Sequence, residues 1–312
     1  MTAYLLRRIL QMLPTLAGVV LLVFFLFKQF GGDPAEIIAG LGASAEQVAA
    51  IRAELGLDRS TAEQLWLFVR KILAFDWGHS WATKESVASL FATRLPATLT
   101  VMVPILLLDT LLAVPLALAV AAVRGSLTDR ALMVVSTVAL SISLLVYVIV
   151  GQWLFAFQLG WFPVQGWGTE LGENLLRYAP LPVALAVLVG LAPQTRLYRS
   201  FFLDEIGQDY VRTARAKGLA EPRVLLVHVL RNAFIPILTN VSVHLPGIFV
   251  GSFLIEVFFS IPGLGREVLL AVNRSDYPVI QAVTIYLAVL TMVINLATDV
   301  FYTWADPRVV LK

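Results

Sequence analysis

Long apolar runs separated by polar stretches set the pattern of this chain. The first runs from about Ile9 to Phe30, interrupted by Gln11 and Lys28. Five more lie at about 97–123, 131–158, 179–200, 233–257 and 279–304. Each reaches the roughly 20 residues that an α-helix needs to cross a bilayer. Arg7 and Arg8 ahead of the first run also suit a cleaved export signal. The run is too long for a signal core, however, and no small-x-small cleavage site follows it. It is read as an uncleaved first span. Pro104, Pro115, Pro182, Pro193, Pro236 and Pro246 fall in or at the ends of the runs. Membrane helices tolerate proline because neighbours re-satisfy the freed carbonyls. These prolines predict kinks, not breaks, and the fold class is all-α with six transmembrane helices.

The stretch 31–95 has a different pattern. It is charged and mixed, with Val48, Ile51 and Leu55 at helical spacing. Ser60 followed by Glu63 is a capping-box pattern ahead of Leu65, Leu67, Phe68 and Val69. A small helical subdomain is expected there. The chain then divides into 1–30 (tail and first span), 31–95 (subdomain) and 96–312 (five-span core with a polar loop at about 200–232).

Composition agrees with this division. Of 312 residues, 59% are hydrophobic and 14% charged, which marks a polytopic membrane protein. There is no Cys, so disulfides and thiol chemistry are excluded. The net charge of +2 says nothing about nucleic acid, because the basic residues cluster in loops, and no nucleic-acid partner is expected. Six spans put both termini on one side. Arg7, Arg8, Arg124, Arg130, the Lys/Arg set from Arg196 to Arg231, Arg308 and Lys312 then share that side. The short loop 159–178 holds only Arg177 against Glu170 and Glu173. This asymmetry predicts cytoplasmic termini. Long loops translocate largely regardless of charge, so 31–95 is expected outside. Trp153, Trp161, Phe162 and Trp167 near the outer end of the third span look like an interfacial belt.

The polar island from Asp209 to Leu219 organises the rest. Ile206, Tyr210, Val211 and Ala214 fall on one helical face. Gln208, Arg212 and Arg215 occupy the remainder. Gly218 suits the left-handed residue that stops such a helix. Small Ala214, Ala216 and Gly218 would let another surface approach the backbone. A short amphipathic helix offered for docking is one reading; a basic loop that only fixes topology is the other.

Little chemistry is written elsewhere. There is no GxxxxGK[ST] phosphate loop and no His/Cys/Asp/Glu set at metal-ligand spacing. His79, His228 and His244 are scattered. Gly247 and Gly251 have the spacing of close-packed membrane helices. Asp109 and His244 fall near mid-membrane. Such residues usually face a bundle interior or a water-filled path, so Asp109 either lines a path, with His244 as a partner, or serves packing alone. Asn240 and His244 share a helix face. Glu256 precedes the turn-forming stretch Phe258–Arg266, and residue type favours an interfacial role for it over a gate contact.

Several stretches resemble the membrane-spanning permeases of ABC importers of the dipeptide/oligopeptide/nickel group, the first of the two paired permeases. They are Gly32-Asp33-Pro34, Glu54-Leu55-Gly56-Leu57-Asp58, Phe75–Ser80, Arg94-Leu95-Pro96-Ala97-Thr98 and Asp209–Leu219. His228–Ala233, Phe259–Arg266, Arg274-Ser275-Asp276-Tyr277-Pro278 and Asp306-Pro307-Arg308 complete the set. The likeness is collinear over nearly the whole chain. It departs from the general importer loop pattern, EAA-x3-G followed by I-x-LP: Arg212 and Thr213 replace the Glu and first Ala, and His228 and Arg231 replace the Ile and Pro. The peptide-type group shares that variation. The short 159–178 loop weakens any substrate assignment by analogy.

The resemblance implies a type I importer permease in a bacterial inner membrane. Tyr210, Val211, Arg212, Thr213, Ala214, Arg215, Ala216, Lys217 and Gly218 would then form a coupling helix docking on an ATPase. It also implies a second homologous permease, two ATP-binding subunits and an extracytoplasmic solute-binding protein. No cofactor is bound by this chain, and ATP and magnesium belong to the partners. Asp109, Asn240, His244 and Glu256 are the candidate path residues. Peptides lead as substrate, with nickel complexes or other small solutes as options. Two other classes stay open on residues alone. One is a self-sufficient secondary transporter or channel using Asp109 as ion site, although no inverted repeat is visible. The other is a membrane-anchored receptor built around 31–95.

Overall fold

The computed structural model describes residues 2–305 except Leu41, with side chains described from Leu6 to Phe301. The Asp306-Pro307-Arg308 stretch and the basic residue Lys312 lie outside the described residues. Within them the fold is all-helical, apart from one isolated bridge between His79 and Ser86.

Helix α1 (Thr2–Phe30) leads into α2 (Pro34–Ala39), α3 (Ala45–Glu54) and α4 (Thr61–Leu73). Ser44 with Gln47 and Ser60 with Glu63 form reciprocal capping boxes at the starts of α3 and α4. The second of these is the one legible in sequence. Helix α5 (Val87–Ala122) begins ten residues before the apolar run, so 87–95 lies in the long helix. Next come α6 (Leu127–Leu140) and α7 (Leu144–Gly151), the latter continued by a π-helical stretch to Gln158. After α8 (Leu171–Glu173) and a second π-helical stretch, α9 runs from Pro180 to Ile206. Helix α10 spans Asp209–Ala216. Helix α11 (Glu221–Arg223) continues through π-helical turns into α12 (Leu230–Ile248). Helices α13 (Phe253–Phe258) and α14 (Leu264–Asn273) precede α15 (Tyr277–Ala305).

Among the described residues five helices are long and apolar enough to cross a membrane: α1, α5, α9, the α11–α12 unit and α15. The sixth run is not one straight helix. Helices α6 and α7 meet at 88°, the geometry of a broken span or of a re-entrant loop. No proline or glycine marks the break. Ser141 is the C-cap residue of α6 and Ser143 the N-cap residue of α7. The fifth run also ends early. Its helix stops at Ile248, and Gly251 takes a φ of +81° beyond it. Gly247 and Gly251 therefore do not form a helix-packing pair; nothing approaches Gly247.

The alternation of crossings defines two ends. The upper end holds 31–86, 159–179 and 249–276. The lower end holds the start of α1, the turn 123–126 and α10. Arg8 Nε lies 3.0 Å from Asp299 Oδ2, tying the start of α1 to the end of α15 at the lower end.

Helices α5 and α9 form the main axis. Ala113, Ala117 and Ala121 recur every four residues on α5 and are all buried, with Tyr198 and Phe202 in the same core. Small residues at this spacing let two backbones approach, which in lipid substitutes packing for the absent hydrophobic drive. Upward, Val101, Val148, Leu185 and Ile261 form a second core. A third joins Val87 and Leu90 to Leu264, Ala271 and Ala282. Leu107, Leu111, Val134 and Val293 point outward and suit lipid or a neighbouring membrane subunit.

Candidate functional site

The polar island is a helix with two faces. Val211 is fully buried and Ala214 nearly so, in the core that holds Val224, Val229 and Phe202. The apolar stripe therefore faces the chain's own core. Tyr210 is exposed on one flank. Its hydroxyl bonds the Glu205 carboxylate. Burial of the ring and that carboxylate push the phenol up to about 12, so Tyr210 stays neutral at physiological pH.

The outward face carries Arg212, Thr213, Arg215, Ala216 and Lys217. Arg212 Nη1 sits 3.3 Å from Asp209 Oδ1, and both side chains are well exposed. Arg215 bridges to Glu221 with contacts of 2.6 and 3.0 Å, pinning the loop after the helix. Gly218 closes α10 with a φ of +77°. Its N–H donates to Arg215 O and that of Leu219 to Ala214 O, the paired bonds of a Schellman stop. Docking residues drawn from the outward face remain available. Val211 and Ala214 do not, because they are packed inside.

The mid-span candidates separate. Asp109 is 8% exposed and rests against Gly190 of α9, where a Cβ would come within 3.0 Å of Oδ1. That oxygen has no hydrogen-bond partner. His244 is exposed on α12 and does not pair with it. Asn240 accepts a 3.1 Å hydrogen bond from the Tyr198 hydroxyl, which joins α9 to α12.

Glu256 is buried beneath the turn between α13 and α14. It is 1% exposed, and its carboxylate is boxed by backbone. Oε1 accepts from Thr98 Oγ1 at 2.9 Å, and Oε2 accepts from the Arg266 N–H at 2.7 Å. Thr98 Oγ1 also accepts from Leu264 N–H at 2.7 Å. These N–H groups open α14, so Glu256 and Thr98 cap that helix from two other helices. The box needs glycine. A Cβ on Gly251 would meet Oε1 at 2.0 Å, and one on Gly263 would meet Cδ at 2.4 Å.

A second buried carboxylate was not singled out from sequence. Asp276 is 3% exposed and accepts from Ser80 Oγ, from Trp81 N–H at 2.9 Å and from Ala82 N–H at 3.4 Å. Its donors lie nearly 200 residues earlier, so no local pattern could reveal them.

The upper loops interlock. Gln152 Nε2 donates to Phe258 O and Val164 O, and Gly166 N–H donates to Phe259 O. The loop 159–178 therefore sits on the turn between α13 and α14. Among the described residues no group of three or more His, Cys, Asp or Glu side chains could hold a metal ion.

Two family models match the chain. The model described as "Binding-protein-dependent transport system inner membrane component" covers residues 113–311, and its N-terminal counterpart covers residues 1–102. A Brucella abortus (strain 2308) protein named as a peptide transport system permease protein is 38% identical over 312 residues, covering 99% of both chains. Glutathione transport system permease proteins of Salmonella typhi and Salmonella typhimurium (strain LT2) are each 34% identical over 312 residues, covering 100% of both chains.

Proposed function

We propose a division of labour for this chain, which belongs to the family of binding-protein-dependent transport system inner membrane components. As a member it is a multi-pass inner-membrane permease subunit of an ABC importer of the peptide type. It is not itself an enzyme, and ATP hydrolysis is done by partner subunits. A self-sufficient secondary transporter is not favoured.

In our reading the lower end is cytoplasmic, with both termini, and the upper end faces outward. Two ATP-binding subunits hold the ATP and magnesium. A second homologous permease packs beside this one, and a solute-binding protein delivers peptides or similar small solutes to the upper end. Helix α10 docks on an ATPase through Tyr210, Arg212, Thr213, Ala216, Lys217 and Gly218. The observation that carries this is the two-faced α10: Val211 and Ala214 fasten it to the core beneath α9 and α12, and its cationic face is exposed. A push on the outer face would then reach the spans without loosening the helix. The path runs beside α5 and α12, with Asp109 and Asn240 as its polar members.

The test is Ala216→Glu, assayed for uptake and for ATP hydrolysis in the complex from native membranes. Ala216 is exposed, so the chain should fold normally. Uptake should fall at least tenfold while the spans stay assembled. Native uptake in this variant would end the docking assignment.

A further inference from the structure

We infer that the outer subdomain, α14 and the first turns of α5 and α15 form one rigid cap, with Asp276 as the positioning residue that ties it together. This rests on the permease reading above and extends it. Contact made on the subdomain would reach α15 through one carboxylate.

The ties run in three directions. Asp276 collects the donors of Ser80, Trp81 and Ala82 at the top of α15. The Tyr277 hydroxyl next to it donates to Gly31 O at the end of α1. The Tyr277 ring lies 5.2 Å from Phe27 and 5.4 Å from Trp81, centroid to centroid. The subdomain is also fixed to α1, where Lys28 Nζ donates to Thr61 Oγ1 and Gln64 Oε1, both at 2.9 Å. Helix α14 is bound to α5 at its start by the Glu256–Thr98 box, and on its flank by Arg94 Nε at 3.6 Å from Glu267. Val87 and Leu90 fill the space against Leu264 and Ala271.

Backbone geometry marks the same two points. Ser260 ends α13 with a φ of 56°, and Ser275 ends α14 with a φ of 53°. A left-handed residue other than glycine is strained, because its Cβ crowds the following carbonyl oxygen. Each strained serine lies within four residues of one of the two buried carboxylates. The surrounding contacts over-determine both turns, which is how such strain persists.

Why the residue is an acid follows from its donors. All the groups around Asp276 are N–H or O–H, and one of them, Ser80 Oγ, already accepts from Thr83 N–H. An amide in the same place would turn its own N–H2 toward Ala82 N–H. A buried donor left unmatched loses its full solvation, and no rotation of Asn removes the mismatch.

The chain has no cysteine, so a single introduced thiol can report on the cap. Ala271→Cys places one in the third core, where Ala271 is buried, and Ala282→Cys provides a second position in the same core. Maleimide labelling is followed in the complex purified from native membranes, with and without Mg-ATP and vanadate. With Asp276 intact, labelling should be slow and indifferent to nucleotide, because the cap moves as one piece. With Asp276→Asn it should quicken by about tenfold. With Ser80→Ala, which removes one donor of three, it should quicken less. ATP hydrolysis should continue in all of them. Nucleotide-dependent labelling beside intact Asp276 would show that the cap comes apart during the cycle and would overturn the inference. So would native labelling in Asp276→Asn. Failure of the permease reading would appear separately, as a complex with no ATPase in it, while the labelling contrast stays readable on the chain alone.

Discussion

The two ends of this molecule are held by different physics. At the upper end, two nearly inaccessible carboxylates, Glu256 and Asp276, receive O–H and N–H donors from several distant segments. At the lower end, α10 is held by apolar side chains underneath, and its ion pairs lie open to solvent. Buried polar boxes have one good geometry and fail steeply when altered. Apolar seats topped by exposed charges tolerate sliding and small rotations. The upper boxes suit a part that keeps its shape, and the exposed face of α10 suits the docking proposed for it.

The largest effect should come from breaking the upper box. In Gly263→Ala the new methyl would lie 2.4 Å from Glu256 Cδ, 2.5 Å from Oε2 and 2.7 Å from Oε1, and that carboxylate is itself buried. The expected cost is about 3 kcal/mol or more, by forced overpacking and a displaced carboxylate. The melting temperature in mild detergent should drop and the yield should collapse. Pairing it with Glu256→Ala makes room for the methyl but orphans the N–H of Arg266. The double variant should therefore cost less than the sum of the two single changes, measured as a double-mutant cycle. Strict additivity would mean that Glu256 and Gly263 do not share one box.

That box also shows what sequence could and could not reveal. The existence and order of the long helices, the Ser60–Glu63 box and the stop at Gly218 were legible, because each depends on residues within a few positions of one another, while the ends of α5 and α12 were not. The 88° break between α6 and α7 was not, since Ser141-Ile142-Ser143 carries no breaker residue and only packing bends it there. Glu256 read as interfacial because its partners, Thr98 and Arg266, come from a distant helix and from beyond a turn. Asp109 and His244 both read as mid-membrane, but helix rotation decides their facing. It turns Asp109 toward Gly190 and leaves His244 outside. Val211 and Ala214 were legible as an apolar face, but not whose surface that face meets.

The lower end should break differently. Val211→Asp places a charge in a fully buried apolar site without a partner, at a cost of several kcal/mol on the order of the buried-polar penalty. Because α10 lies at the periphery, the chain should answer by releasing that helix alone. Amide exchange should quicken across 209–219 and stay slow in α5 and α9. Exchange that quickens everywhere would mean that α10 is integral to the core, and the contrast between the ends would lose its basis.

Arg215→Ala should matter much less to stability. The Arg215–Glu221 pair is about half exposed on both sides, and such pairs contribute roughly 0–1 kcal/mol. The melting temperature should stay within a degree or two of native. A clear loss of ATPase co-purification at unchanged stability would assign Arg215 to docking and not to holding the loop.

The smallest effect tests the upper end at its solvent edge. Asp33 caps α2 through Ala35 N–H at 2.9 Å and pairs with Arg52 of α3. The Arg52 guanidinium holds the Asp33 carboxyl below its ordinary value, with the Ala35 N–H assisting. A depressed carboxyl contributes its stability above the ordinary aspartate range of about 4. It loses that contribution as the pH falls through the folded value. Asp33→Asn keeps an oxygen for the cap and removes only the charge. The melting temperatures of the two chains should therefore differ slightly at pH 6 and converge by pH 3. A difference that survives at pH 3 would mean that Asp33 acts through its cap geometry alone. The ion pair would then add nothing to the upper end, and that end's rigidity would rest wholly on its buried carboxylates.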